Sequence, residues 1–193
     1  ICSHGQTIYH IPPDGRKMGS TFQIGEPSVI AEMTGILTIS DFRTRDMANG
    51  GHGAPLVPLA DYLLFNKKKE VRAVLNIGGI ANVTIVREDI ENTIAFDIGP
   101  GNSLIDEAVK IFTNNRKSYD KNGMMARTGR TDNQLLKELL SHPYLKKPLP
   151  KSTGREVFGR EMVEDILNRY HRLSPVDIIN TLSYFTAINI YTV

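Results

Sequence analysis

Cysteine is almost absent from this 193-residue chain, in which Cys2 is the only one. A single thiol cannot form an internal disulfide, so the sequence excludes a disulfide-stabilised scaffold and predicts a reducing, cytoplasmic location. The chain also lacks any apolar run approaching the roughly 20 residues that cross a bilayer, and its first residues show no secretory pattern. We therefore expect no membrane partner.

A strong charge of either sign is also missing, because the formal net charge is only +2. A nucleic-acid-binding protein needs a basic stripe with aromatic or motif support, and none is present. The run Lys67–Lys69 is interpreted as a solvated turn, with a basic binding patch as the alternative. With 40% apolar and 23% charged residues, the composition is that of an ordinary globular protein.

Several common site motifs are incomplete. The histidines show no metal-ligand spacing and Cys2 is isolated, so no zinc site is expected. Lys151–Thr153 lacks the upstream glycines of a phosphate loop, and "GGHGAP" lacks the dinucleotide-binding spacing. No internal repeat or low-complexity tract occurs.

The first third of the chain alternates between strand and helix signals. Pro27 begins a predicted helix that Gly35 closes. The other predicted elements are a turn at Pro12–Gly15, a strand at Thr21–Ile24, a buried strand over residues 36–42 that ends near Asp41, a charged glycine-rich loop from Arg43, and a helix at Leu59–Phe65.

The pattern changes near residue 70, where three short β-rich runs precede a series of helices. "VRAVLNIGG", "ANVTIVRE" and "TIAFDIG" predict antiparallel strands, followed by a helix that Asn102 caps. Later helices are predicted in "DNQLLKELL" and "REMVEDILNRYHRL", and in the segment capped by Ser174. The sequence therefore predicts an α/β protein with a new domain beginning near residue 69.

Two features suggest a ligand site. Gly78 and Gly79 interrupt a strand pattern, which is typical of a place where a ligand approaches the backbone. Asp97 follows an apolar run and is predicted at the strand's C-terminal end, before a helix whose N–H groups favour an anion. Asp97 is suited to be a general base. The alternative is that it only satisfies backbone donors in the turn.

A second cluster of candidates precedes residue 50. Asp41, Arg43, Arg45 and Asp46 lie close in sequence, and arginine's planar fork suits carboxylate or phosphate. A surface ion-pair loop is the alternative. His4 is a further candidate, although an isolated histidine is more often structural.

The chain resembles the anhydro-N-acetylmuramic acid kinases in seven segments that occur in order. They are "SHGQTIYHIP", "QIGEPSVIAEMTGI", "SDFRTRDMANGGHGAPLVP", "LNIGGIANVT", "FDIGPGN", "YDKNGMMARTG" and "PKSTGREVFG". The family belongs to the sugar kinase, actin and heat-shock chaperone superfamily, whose members have two RNase H-like domains around a cleft. The resemblance implies that residues 1–68 finish domain one and that residues 69–193 begin domain two.

The resemblance also implies a function. Family members are ATP- and Mg²⁺-dependent kinases that open the 1,6-anhydro ring of anhydro-N-acetylmuramic acid with water and phosphorylate O6, in peptidoglycan recycling. Asp97 is then the base that activates water, and magnesium is expected to be held mostly through water and other groups, so no protein residue is assigned as its ligand. The implied substrate contacts are His4, Gln6, Asp41, Arg43, Arg45 and Asn102. The implied contacts to ATP are Asn76, Gly78, Gly79 and Asn82.

The family's N-terminal phosphate loop and C-terminal adenosine segment are not found in these 193 residues, so we expect a fragment of a longer polypeptide. The alternative functions are a non-catalytic module that binds a sugar or a partner, and a kinase for another amino sugar. The expected partner is a small amino sugar, and a homodimer is a further hypothesis.

Overall fold

The computed structural model describes residues 1–13 and 18–193, so the turn predicted at Pro12–Gly15 lies partly outside the described residues. The chain is an α/β protein, as predicted, and its elements are compatible with part of an RNase H-like, actin-like kinase fold. It divides into two compact units, Ile1–Ala60 and Asp61–Val193, each described by itself below. The domain boundary predicted between residues 68 and 69 stays a prediction.

Unit 1 contains one hairpin and short helices. Its elements are β1 (Gln6–Ile11), β2 (Ser20–Ile24), α1 (Pro27–Thr34), α2 (Phe42–Ala48) and the start of α3 (Pro58–Phe65). β1 and β2 pair antiparallel. The predictions of β2, α1 and α3 are confirmed, and Gly35 closes α1 in the left-handed conformation with φ 65°. Strand β1 was not predicted.

Two predictions for residues 36–48 are wrong. Residues 36–42 form no strand, because their only ladder contact is an isolated bridge between Cys2 and Ile39 and a strand needs a longer row of hydrogen bonds. The segment is also exposed rather than buried, with Leu37 80% accessible. The first part of the predicted loop, residues 43–48, instead belongs to helix α2, since no glycine or proline interrupts the chain before Gly50.

Unit 2 begins with the predicted antiparallel sheet. Its elements are β3 (Arg72–Ile77), β4 (Ile80–Val86), β5 (Ile94–Pro100), α4 (Ser103–Phe112), α5 (Asn133–Leu140), α6 (Arg160–Arg169) and α7 (Pro175–Tyr191). The strand order is β3-β4-β5, so each strand pairs with its neighbour in sequence. Ser174 caps α7 through its side chain, as predicted, and Asp132 caps α5 in the same way.

The main hydrophobic core of unit 2 lies among its helices. Phe158 and Phe185 are completely buried there with the apolar faces of α4 to α7. A smaller cluster, which includes Val83 and Phe96, lies on one face of the sheet. These two clusters fix β5 and α4, and so position the segment that joins them.

Helix α3 covers one end of the opposite face of the sheet. Asp61 of α3 is buried and accepts a hydrogen bond from Thr84 of β4, with 2.6 Å between the oxygens. Further along that face, towards Ile80, the side chains reach solvent. Within residues 1–13 and 18–193, no helix has the length and apolarity that crossing a bilayer requires.

Candidate active site

Three polar residues form a row across the open end of this sheet face. Asn76 of β3 pairs with Asn82 of β4, and Asn82 pairs with Asp97 of β5. Directly opposed residues of neighbouring strands project from the same face of a sheet. The two asparagines are exposed and Asp97 is half-buried, so the row is open to solvent. We call these three residues the polar row.

Asp97 lies in the middle of β5 rather than at its C-terminal end, so that prediction is wrong. The strand continues to Pro100 because Gly99 and Pro100 still pair with Ala81 and Ile80 of β4. The register shifts by one residue between the Asn82–Asp97 pair and the Ala81–Gly99 pair, which makes Ile98 the extra residue of a β-bulge. Bulges of this kind redirect neighbouring side chains and are frequent beside active sites.

The segment Lys151–Thr153 binds Asp97 through three hydrogen bonds. The Asp97 amide donates to the Lys151 carbonyl at 2.9 Å. One carboxylate oxygen, Oδ2, accepts from the Ser152 hydroxyl at 2.8 Å and from the Thr153 amide at 2.9 Å. Hydrogen bonds to an ionised acceptor are roughly twice as strong as neutral ones. This segment therefore fixes both the backbone and the carboxylate of Asp97.

Tyr144 holds the same strand from the core side. Its hydroxyl donates to the Asp97 carbonyl oxygen at 2.7 Å, and its ring packs edge-on against Phe158 with 5.5 Å between centroids. Burial raises the pKa of Tyr144, and the nearby Asp97 charge raises it further. Since a higher pKa keeps the phenol protonated, Tyr144 stays a hydrogen-bond donor to β5.

Lys151 also packs against Tyr144. Its ammonium lies 4.9 Å from the centre of the tyrosine ring and donates to the Leu145 carbonyl at 2.9 Å. Burial lowers the pKa of Lys151. The side chain thus anchors the segment that carries Ser152 and Thr153.

The paired glycines form the tip of the β3–β4 hairpin, next to the start of α4. The Gly79 carbonyl accepts from the amides of Gly101 and Ser103 at 2.9 and 3.0 Å, and the Gly78 carbonyl accepts from Asn102 at 2.8 Å. The expectation that the helix start offers free N–H groups is therefore wrong for these three amides. Asn102 occupies the N-cap position, as predicted, but its side chain makes no capping hydrogen bond.

The close approach of the hairpin to α4 depends on Gly101. A Cβ atom built on Gly101 would overlap the Gly78 carbonyl oxygen and lie 3.2 Å from the Ala81 amide nitrogen. Both obstacles are backbone atoms, which cannot rotate away as a side chain can.

We expect Gly101→Ala to lower the free energy of unfolding by about 1–3 kcal/mol, the usual cost of overpacking. Urea denaturation followed by circular dichroism measures the change. Gly78→Ala is the matched control, since a Cβ there meets nothing nearer than 3.5 Å. Equal unfolding midpoints for the two variants would contradict the predicted role of Gly101.

Arg155 lies over the other glycine of the hairpin. Its guanidinium atoms are 3.3 to 3.8 Å from the position that a Cβ of Gly79 would take. Arg155 is exposed, and it lies with Ser152 in the segment that connects α5 to α6. A cation is thus placed directly beside the glycine tip.

Asn102 lines a pocket of about 480 Å³ beside α4, together with Asp106, Lys110 and Asp120. Burial raises the pKa of Asp106, and the positive charges of Lys110 and Arg155 oppose that shift. Both Asp120 oxygens are engaged by backbone amides, at Met125 and Ala126. None of the hydrogen bonds to Asp97 within the described part of the chain comes from a residue of this pocket.

In unit 1 the structure brings His4 and Arg43 together. Arg43 donates from Nε to His4 Nε2 at 2.8 Å and from a terminal nitrogen to the Gly53 carbonyl at 2.7 Å. Because His4 Nε2 accepts, Nδ1 carries the proton and donates to the Gly5 carbonyl at 2.9 Å. Burial lowers the pKa of Arg43. For Arg43, these contacts replace the ion pair that the alternative interpretation required.

The other predicted residues of unit 1 lie apart from this pair. Gln6 is exposed, and the side-chain hydrogen bond that it makes in the described chain goes to the carbonyl of its neighbour Thr7. Asp41 has a left-handed backbone with φ 60° and accepts from the adjacent Ser40 hydroxyl at 3.2 Å. Arg45 is an exposed residue of α2. Their proposed substrate contacts stay predictions.

Comparison with known proteins agrees with the resemblance seen in the sequence. A family model described as anhydro-N-acetylmuramic acid kinase matches residues 1–193. The chain belongs to the anhydro-N-acetylmuramic acid kinase family. Proteins of that name from Caldanaerobacter subterraneus, Clostridioides difficile and Bacillus cereus are each 48% identical to it, over 98%, 99% and 98% of the chain. The match covers 50% of each relative, so the chain spans about half of their length.

Several residues at this family member's candidate site were not predicted individually. Lys151–Thr153 lacks the upstream glycines of a phosphate loop, so the sequence assigns no role to Ser152 or Thr153, and it offers no separate signal for Arg155. No pattern in the sequence around Tyr144 predicts a role at the site, since a tyrosine near two prolines is common on surfaces and in cores alike. The family segment "PKSTGREVFG" contains Ser152, Thr153 and Arg155, but nothing in it indicates that the segment contacts Asp97 on β5.

The polar row suits a weakly held magnesium ion that keeps its waters. Mg²⁺ prefers oxygen ligands and is usually bound by one or two carboxylates together with substrate phosphates. Asn76 and Asn82 offer amide oxygens beside the Asp97 carboxylate, a set that suits contact through the ion's water shell. In the described residues, no group of three histidine, cysteine or acidic side chains could hold a metal alone.

Proposed function

We propose that the protein containing this chain is an ATP-dependent kinase that hydrolyses the anhydro bond of anhydro-N-acetylmuramic acid and phosphorylates O6. The observation that carries the proposal is the position of Asp97. Its carboxylate is half-buried and is held at Oδ2 by Ser152 and Thr153. Its pairing partner Asn82 lies three residues after Gly79 of the glycine tip. Family membership supports a phosphotransferase of this type. Its product would be N-acetylmuramic acid 6-phosphate, an intermediate of peptidoglycan recycling in the cytoplasm.

In the proposed reaction, Asp97 takes a proton from a water molecule as the water oxygen bonds to C1 of the sugar. The C1–O6 bond breaks, and its electron pair stays on O6. O6 then bonds to the γ-phosphorus of ATP, and ADP leaves. A positioned general base contributes roughly 10²- to 10⁴-fold to such a reaction.

The glycine tip and Arg155 support a phosphate site beside the polar row. The nearest atom to the missing Cβ of Gly78 is Asn76 Oδ1 at 3.5 Å, so a ligand could approach the Gly78 backbone closely. Arg155 adds a positive charge over Gly79, and a guanidinium binds phosphate through two parallel hydrogen bonds. Asn76 and Asn82 would hold Mg²⁺ through its water shell, and the ion would neutralise phosphate charge.

For unit 1 we propose that Arg43, Arg45 and the segment with His4 and Gln6 contact the sugar's lactyl carboxylate and N-acetyl group. Arg43 keeps donors beyond those used for His4 and Gly53, because a guanidinium carries five N–H groups. Asp41 and Asn102 are proposed as further sugar contacts.

Turnover of anhydro-N-acetylmuramic acid tests the proposal. The complete natural polypeptide that contains residues 1–193 is incubated with the sugar, ATP and Mg²⁺, and the products are identified by mass spectrometry. We expect ADP and a sugar product heavier by one water and one phosphoryl group. In ¹⁸O water, the label should appear at C1.

Two other outcomes would favour the alternatives. Sugar binding by calorimetry without any release of ADP would indicate a non-catalytic module. Phosphorylation of a different amino sugar in a panel of acceptors, with the anhydro sugar untouched, would indicate another kinase.

A further inference from the structure

The two oxygens of the Asp97 carboxylate have different surroundings. Oδ2 accepts two hydrogen bonds, from the Ser152 hydroxyl at 2.8 Å and the Thr153 amide at 2.9 Å. Within residues 1–13 and 18–193, Oδ1 accepts none. Asp97 is only half-buried, and Oδ1 is the oxygen whose acceptor capacity is not used by the described residues.

We propose that Ser152 is a positioning residue for the base, holding Oδ2 so that Oδ1 takes the proton from the attacking water. The inference rests on the proposed function, since it concerns the same carboxylate. A carboxylate has one rotatable bond next to it, and a single donor leaves that rotation poorly defined. Two donors on Oδ2, one from a side chain and one from the backbone, restrict it.

Ser152 is the side chain in this arrangement that mutation can test. The Thr153 contact is made by a backbone amide, and the Lys151 contact is made by a backbone carbonyl that accepts from the Asp97 N–H. Ser152 is itself exposed, so the loss of its hydroxyl opens no cavity in the core. A kinetic effect of Ser152→Ala would therefore report on the carboxylate and not on packing.

The test compares Ser152→Ala and Ser152→Thr in the complete natural polypeptide that contains residues 1–193. We expect Ser152→Ala to lower kcat about tenfold, the equivalent of one hydrogen bond to a charged group. The KM values for the sugar and ATP should change by less than about twofold, because a positioning residue acts through Asp97 and contacts neither substrate. Ser152→Thr keeps the hydroxyl and should recover most of the lost kcat.

A second measurement does not depend on turnover. Hydrogen exchange of the Thr153 amide should be faster in Ser152→Ala, since the carboxylate that this amide binds is less well held. The exchange rate should return towards that of the parent protein in Ser152→Thr. Ser141→Ala is the control, because it removes another exposed hydroxyl, one that binds the Glu138 carbonyl, and it should change neither quantity.

Unchanged kcat and unchanged Thr153 exchange in Ser152→Ala would overturn the positioning role. A Ser152→Thr variant as slow as Ser152→Ala would overturn it as well. The proposed function fails separately: if Asp97→Asn keeps full activity, Asp97 is not the base. If Asp97→Asn is inactive while Ser152→Ala is normal, only the present inference is lost.

Discussion

Asp97→Asn is expected to abolish turnover of anhydro-N-acetylmuramic acid, with a loss of about a thousandfold or more in kcat. An amide cannot accept the proton of the attacking water at neutral pH. The change should leave the fold intact, because an asparagine oxygen can still accept from the Ser152 hydroxyl and the Thr153 amide. Coupled detection of ADP, with mass spectrometry of the sugar product, measures the loss.

Asp165→Asn provides the matched control for this variant. Asp165 is an exposed carboxylate on α6 that pairs with Arg169, and it lies outside the candidate site. It should keep normal kcat. Asp97→Asn protein with the parent's circular dichroism spectrum and normal turnover would remove Asp97 from the mechanism.

Phe158→Ala is expected to give the largest loss of stability, about 3–5 kcal/mol in the free energy of unfolding. Phe158 is completely buried and its ring contacts both His142 and Tyr144, with centroid distances of 4.9 and 5.5 Å. Because Tyr144 also donates to the Asp97 carbonyl, the cavity left by Phe158 should weaken the hydrogen bond between Tyr144 and β5. Urea denaturation followed by circular dichroism is suitable, since the chain has no tryptophan.

The neighbouring Val157→Ala serves as the control for Phe158→Ala. Val157 is exposed, so its truncation should change the unfolding free energy by less than about 0.5 kcal/mol. If both variants unfold at the same urea concentration, Phe158 does not anchor the core as described.

The sequence predicted best those elements whose ends carry local signals. Ser174 followed by Pro175 marked the start of α7, and Pro27 with Gly35 marked both ends of α1. The three strands of unit 2 were also predicted, since β-rich runs separated by glycines or short polar turns specify an antiparallel sheet. In each case the information lies within a few residues of the element.

The failures come from contacts between distant residues. Residues 36–42 are mostly apolar and suit a strand, but the described structure pairs them only with the first few residues. Ser152 is 55 residues from Asp97, and nothing in "PKSTGRE" indicates that its hydroxyl binds a carboxylate on β5. The bulge at Ile98 depends on the pairing of β5 with β4, which local sequence does not fix. The sequence therefore names Asp97 as a candidate but does not indicate which residues bind it, and its catalytic role stays a prediction.

The three amide-to-carbonyl bonds between the glycine tip and the start of α4 also constrain how this protein could change in evolution. They require that Gly78 and Gly79 face Gly101–Ser103 in one register. An inserted or deleted residue in the tip would misalign all three bonds at once, whereas substitutions at exposed positions nearby would leave them in place. We therefore expect relatives to differ in the identity of residues around this turn but to keep its length.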